Sequence, residues 1–147
     1  MPNTREVKIL LVEDDPGHAR LIEKNLRRSK ISNDIQLFGD GQEVLDYLLG
    51  NDDASGLDLP APVLVLLDLR LPRIDGYRVL ERMKADERAK KIPVVVLTTT
   101  DDPREVERCY DLGCNVFITK PVDYDRFAEA VRNLGLFFSV VTIPEEE

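Results

Sequence analysis

Short apolar runs alternate with amphipathic stretches from one end of the chain to the other. Val7-Lys8-Ile9-Leu10-Leu11-Val12 is almost wholly apolar and stops at Glu13-Asp14-Asp15, the pattern of a buried strand ending at a polar sheet edge. Pro16 then opens a helical stretch in which Ala19, Ile22 and Leu26 share one face, with Arg20, Glu23, Lys24 and Arg27 outward. Residues 35–38 predict a second, weaker strand. Asp40-Gly41-Gln42-Glu43 reads as the cap of a helix carrying Val44, Leu45, Leu48 and Leu49, with Gly50 as its stop. A loop rich in Asp, Gly and Pro runs from 50 to 62. Val63-Leu64-Val65-Leu66-Leu67 is the most apolar run, the predicted sheet centre, and it delivers Asp68 to its C-terminal end. Beyond it the spacing predicts a helix over about 75–85 with Val79, Leu80 and Met83 inward, then a strand over 93–97. A helix over 103–112, a strand over 116–118 and a last helix from 124 to about 138 complete the series.

Strand–helix units in unbroken succession predict an α/β fold, a five-stranded parallel sheet with helices on both faces. At 147 residues the whole chain, 1–147, is expected to form one domain, with a core over about 7–136 and a C-terminal extension over 137–147. The 43% apolar and 33% charged residues exclude a disordered or fibrous chain. A net charge of −8 argues against a nucleic-acid-binding surface, which needs clustered cations. No apolar run approaches the roughly 20 residues of a membrane span, and the first six residues lack the apolar stretch of a signal peptide. The expected location is the cytoplasm, where Cys109 and Cys114 stay reduced; two cysteines without partner ligands make no zinc site.

In an open parallel sheet, ligands sit outside the C-terminal strand ends. Those ends carry Glu13, Asp14 and Asp15, then Asp68, then Thr98-Thr99-Thr100, then Lys120-Pro121. Carboxylates this close repel one another and take up protons unless a cation holds them. A hard, oxygen-seeking ion such as Mg²⁺ suits the place. A lysine and a hydroxyl beside a metal are what a transferring phosphoryl group needs around its oxygens.

Four motifs in order, Leu10-Leu11-Val12-Glu13-Asp14-Asp15, Leu67-Asp68-Leu69-Arg70-Leu71-Pro72 with Asp75-Gly76, Val96-Leu97-Thr98-Thr99 and Thr119-Lys120-Pro121, resemble the receiver domain of two-component response regulators. The resemblance covers about residues 7–136 and implies the flavodoxin-like (βα)5 receiver fold. The longer loop before the third strand, the Thr98-Thr99-Thr100 run and the ending past the fifth helix resemble more narrowly the single-domain regulators of cyanobacterial and bacterial phytochromes. Carried over, Asp68 would be the phosphoacceptor. Glu13, Asp14 and Asp68, with the backbone carbonyl of Arg70, would hold Mg²⁺. Thr98 would hydrogen-bond the phosphoryl group, Lys120 would pair with its oxygens, and Phe117 falls where the family keeps an aromatic that turns inward when the threonine moves. The implied donor is a histidine kinase, a phytochrome in the narrower resemblance, and the implied output is a protein contact. Thr99 departs from the family, which usually has a small residue there.

Other residues read more plainly. One of Glu13 and Asp14 is expected to cap the first helix, and Asp15 to be a solvated loop residue. His18, on the polar side of that helix, is expected to face solvent, and Cys109 and Tyr110 to serve packing. A haloacid-dehalogenase-like phosphatase, also built on an aspartate nucleophile and Mg²⁺, is the alternative, but it requires an acid two residues after the nucleophile, where Arg70 stands. A flavodoxin-like redox carrier would need a phosphate cradle after the first strand, where the acids would repel the phosphate. The eleven residues past 136 are too few for a helix-turn-helix domain. They belong to an apolar end, Leu136-Phe137-Phe138 and Val140-Val141-Thr142-Ile143, which predicts a homodimer through the fifth helix and the extension.

Overall fold

The computed structural model describes residues 7–28, 33–50 and 63–120, together with 125, 126 and 129. In chain order the elements are β1 (Lys8–Val12), α1 (Pro16–Arg28), β2 (Ile35–Phe38), α2 (Gly41–Leu49), β3 (Val63–Leu67), α3 (Gly76–Lys84), a 3-10 turn (Ala89–Lys91), β4 (Val94–Thr98), α4 (Pro103–Asp111) and β5 (Val116–Thr119). Residues 125, 126 and 129 are helical, inside the predicted last helix. The rest of that helix, the 51–62 loop and the 137–147 extension on which the dimer expectation rests lie outside the described residues.

The strands form one parallel sheet in the order β2-β1-β3-β4-β5. β3 is central and every one of its residues is buried, as its unbroken apolar run predicts. Because side chains alternate across a strand, the same strands feed two cores. Leu10, Val12, Val65, Leu67, Val94 and Val96 pack with Val44, Leu45 and Leu48 of α2 and Val79, Leu80 and Met83 of α3. Ile9, Leu11, Leu64, Leu66, Val95 and Leu97 pack on the opposite face with Ala19, Ile22 and Leu26 of α1. The expected α/β sheet covered on both faces is thus present.

Local details depart from expectation in instructive ways. Asp40 caps α2 as predicted, its side chain accepting from Glu43 N at 2.8 Å. Gly50 ends the helix with φ −64°, so this stop does not use the left-handed conformation for which a glycine is ordinarily needed. Tyr110, expected to pack, is half exposed and its hydroxyl accepts from Phe117 N at 3.2 Å, whereas Cys109 is buried as expected. The one non-glycine residue with positive φ among those described is Arg73 (66°), in the turn between β3 and α3. Its guanidinium grips Asp40 with Nε–Oδ2 3.1 Å and Nη2–Oδ2 3.0 Å, so that turn is tied to the start of α2.

Candidate functional site

The sheet register brings the acids together. Val12 pairs with Leu67, so Glu13 and Asp68 are the next residues along two neighbouring strands, and Asp68 N extends the ladder to Val12 O at 3.0 Å. This is also where the strand order reverses, between β1 and β3, the crevice where such sheets bind ligands. On the far side Thr98 pairs with Thr119, and Lys120 N donates to Thr98 O at 2.8 Å. Four strand ends therefore contribute to one edge without any long-range loop.

The turn after β3 is held tightly against Asp68. Gly76 N donates to Leu69 O at 2.8 Å, and a Cβ on Gly76 would lie 2.3 Å from Asp68 O and 2.7 Å from Leu69 Cα. Only glycine allows the start of α3 to approach this closely. Arg70 lies within this turn, exposed.

Carboxylate oxygens of Glu13, Asp14 and Asp68 lie within 4.8 Å of one another. Glu13 and Asp68 are buried and Asp14 is exposed. Burial first, and the neighbouring Glu13 charge second, push the Asp68 carboxyl up to about 6, against the pull of Lys120. Lys120 Nζ is paired with Glu13 Oε1 and stands 3.8 Å from Asp68 Oδ1. Thr98 is buried, and its hydroxyl has no hydrogen-bond partner among the described residues. Phe117 is half-buried in β5 and packs against the core on the α2 and α3 side. Three hard oxygen donors fit a divalent cation such as Mg²⁺, and an orphaned buried hydroxyl beside an ammonium fits an anion with several oxygens.

One sequence expectation is corrected here. The cap of α1 is Asp15, not Glu13 or Asp14: Asp15 Oδ1 accepts from Gly17 N at 2.8 Å and His18 N at 3.1 Å. Those bonds, led by the one from His18, hold its carboxyl below the ordinary range. Glu13 is turned inward instead, with Oε2 accepting from Asp15 N at 3.1 Å. His18 is exposed, as expected, yet it lies at the rim of the site with Nδ1 3.1 Å from Lys120 Nζ, a contact the sequence did not show. Its place in the first helical turn after three acids was the available signal; the helical wheel, which marks only polar or apolar sides, missed it.

The response regulator receiver domain family model matches residues 9–132. The response regulator Rcp1 of Synechocystis is 35% identical over 137 residues, 92% of either chain. Its manganese-bound crystal form is similar in structure, with TM-score 0.71 at 34% identity, covering 95% of this chain and 99% of that one. A receiver domain from Rhodospirillum rubrum is 54% identical with TM-score 0.75, covering 96% and 99% of the two chains. The bacteriophytochrome response regulator AtBRR is 36% identical with TM-score 0.80, covering 99% and 100%. The phosphorylated cyanobacterial phytochrome response regulator RcpA is 35% identical with TM-score 0.74, covering 95% and 99%. These matches leave the haloacid-dehalogenase alternative without support. The chain belongs to the response regulator receiver domain family of two-component signalling, among relatives of the phytochrome response regulators.

Proposed function

We propose that the protein is a phosphorylation-controlled signalling module in which Asp68 accepts a phosphoryl group from a histidine kinase. The observation that carries the reading is the gathering of Glu13, Asp14 and Asp68 within 4.8 Å beside the Lys120 ammonium. The Asp68 carboxylate forms a P–O bond as the P–N bond of the kinase phosphohistidine breaks, and the bonding pair returns to the imidazole. Lys120 compensates charge on the phosphoryl oxygens, and the Thr98 hydroxyl, free to donate, hydrogen-bonds one of them. Glu13, Asp14, Asp68 and the carbonyl of Arg70 would hold Mg²⁺. The cation supplies neutralisation of the carboxylates and of the transferring group's oxygens. Phe117, opposite Val96 on the neighbouring strand, is the aromatic that would follow Thr98 inward. The reaction is confined to the domain's own aspartate, and no outside substrate is turned over.

The relatives support a phytochrome as the kinase, and the output is a contact with another protein. The acidic surface favours neither nucleic acid nor an anionic membrane as the partner. Among the described residues no helix is long and apolar enough to cross a membrane, which fits a cytoplasmic location.

Labelling with acetyl phosphate, followed by intact mass, tests the acceptor. The wild-type chain should gain one phosphoryl group only with Mg²⁺ present, and Asp68→Asn should gain none; equal labelling of that variant overturns the assignment. A homodimer through the fifth helix and extension rests on the apolar sequence of that end. Truncation after residue 136 should lower the sedimentation coefficient to that of a monomer while Asp68 still labels. A full chain that already sediments as a monomer at tens of micromolar rejects it.

A further inference from the structure

An ammonium has three N–H donors and no acceptor, so the partners of Lys120 can be assigned one by one. Glu13 Oε1 takes one donor, His18 Nδ1 meets another at 3.1 Å, and Asp68 Oδ1 lies 3.8 Å away, within ionic reach but beyond hydrogen-bond range. Because the ammonium can only donate, Nδ1 is the acceptor, and the ring hydrogen sits on Nε2, which faces Asp15 Oδ2 at 3.9 Å. His18 is anchored from behind by its own backbone N–H on Asp15 Oδ1. Its side chain is 45% exposed, against 8% for Lys120 and 1% for Glu13, so the pair joins a buried lysine to a residue at the surface.

We propose that His18 is a positioning residue of the acceptor site: by accepting one N–H of Lys120 while Glu13 accepts a second, it leaves the third directed at Asp68, where phosphoryl oxygens arrive. The inference rests on the functional reading above and deepens it. A lysine on its four-carbon stem is otherwise free among many rotamers. Fixing two of its donors in advance orients the remaining one before the reaction, the advantage that positioning confers on a transferring group.

The test is labelling of the full chain by acetyl phosphate at one fixed pH and saturating Mg²⁺. In that reaction the P–O bond of the donor breaks, acetate leaves with the electron pair, and the new P–O bond forms on Asp68. His18→Leu removes the acceptor and should slow labelling on the order of tenfold, as loss of a supporting hydrogen bond commonly does. Mg²⁺ affinity and the unfolding midpoint should stay near wild type. His18→Asn, whose amide oxygen can occupy the Nδ1 position, should recover most of the rate. In a Lys120→Ala background, residual labelling should be indifferent to His18→Leu, because the two residues act as one unit. Equal rates for the leucine and asparagine variants, or the same slowing with Lys120 absent, overturn the positioning role. Wild-type protein that takes no label on Asp68 instead overturns the functional reading, and this inference with it.

Discussion

At the N-terminal end of the sheet, fully buried Asn33 donates its side-chain amide to Val7 O at 2.8 Å, and Lys8 Nζ donates to Tyr47 Oη at 3.1 Å. Asn115 closes the start of β4 in the same manner, Oδ1 accepting from Val94 N at 2.8 Å and its own N–H returning to Val94 O at 2.9 Å. At the C-terminal end the same strands leave Asp68 beside Glu13 with its carboxyl raised, and the Thr98 hydroxyl buried without a partner among the described residues. At the first end these hydrogen bonds link neutral groups or a lysine to a hydroxyl and gather no like charges, so they stabilise the fold. The other holds like charges together, which costs stability until a cation or phosphoryl group meets them. The asymmetry singles out the C-terminal end as the candidate site, because strain of this sort persists only where the surrounding structure enforces it.

The largest expected effect comes from removing the charge at the strained end. In folded protein the Asp68 carboxyl stands at about 6 against an ordinary 3.8. The folded state therefore binds the extra proton between these values, and stability falls as pH rises through that window, with the full penalty above about 6. Asp68→Asn should thus gain unfolding free energy at pH 8 in the presence of a chelator, and the gain should fade as pH drops below about 4. Added Mg²⁺ should narrow the gap, since only the wild-type site gains from the cation. Denaturant titrations across this pH range measure it. A variant less stable than wild type at pH 8 would show that Asp68 is held as a structural ion-pair partner of Lys120.

The contrast between the two ends was only partly legible in the sequence. The apolar runs marked the strands, and the residues just past them marked the active edge, because a parallel sheet places every strand's C-terminal end on the same side. Glu13, Asp14, Asp68, Thr98 and Lys120 were readable for that reason alone. The cap of α1 was not, because Glu13, Asp14 and Asp15 all suit a helix start and only the three-dimensional inward turn of Glu13 leaves the role to Asp15. His18 was missed because its partner, Lys120, comes 102 residues later in the chain. Tyr110 was misjudged through a general preference, an aromatic's burial, that local geometry here overrides, while Gly50 stops α2 as expected but without the left-handed conformation.

A smaller effect of opposite sign belongs to the N-terminal end. Asn33→Ala removes the donor to Val7 O and leaves that carbonyl buried, a loss of about 1–2 kcal/mol. Mg²⁺ affinity and Asp68 labelling should not change, because the substitution touches only the end away from the site. Isothermal titration with Mg²⁺ and a denaturant curve on the same variant separate the two quantities. A shift in Mg²⁺ affinity would mean the sheet transmits changes between its ends.

The smallest effect concerns groups that share the direction of Asp68's shift but none of its chemistry. Burial pushes the Cys109 thiol up to about 11 and the Cys114 thiol up to about 12. Cys109, on α4, and Cys114, just before β5, are both buried in the core that α3 lines, away from the C-terminal strand ends. Burial alone keeps a titratable group neutral and inert; Asp68 differs because it opens onto exposed Asp14 and faces Lys120, so a cation can reverse its state. With its thiol raised by burial, Cys109 is far less ionised at pH 8 than a free cysteine, and nucleophilic thiolate is what a thiol reagent needs. Native protein should therefore react with iodoacetamide far more slowly than the denatured chain, with no change on phosphorylation of Asp68. Rapid labelling of either cysteine in native protein would show that the core beneath α4 opens, and that its raised thiols are more than packing.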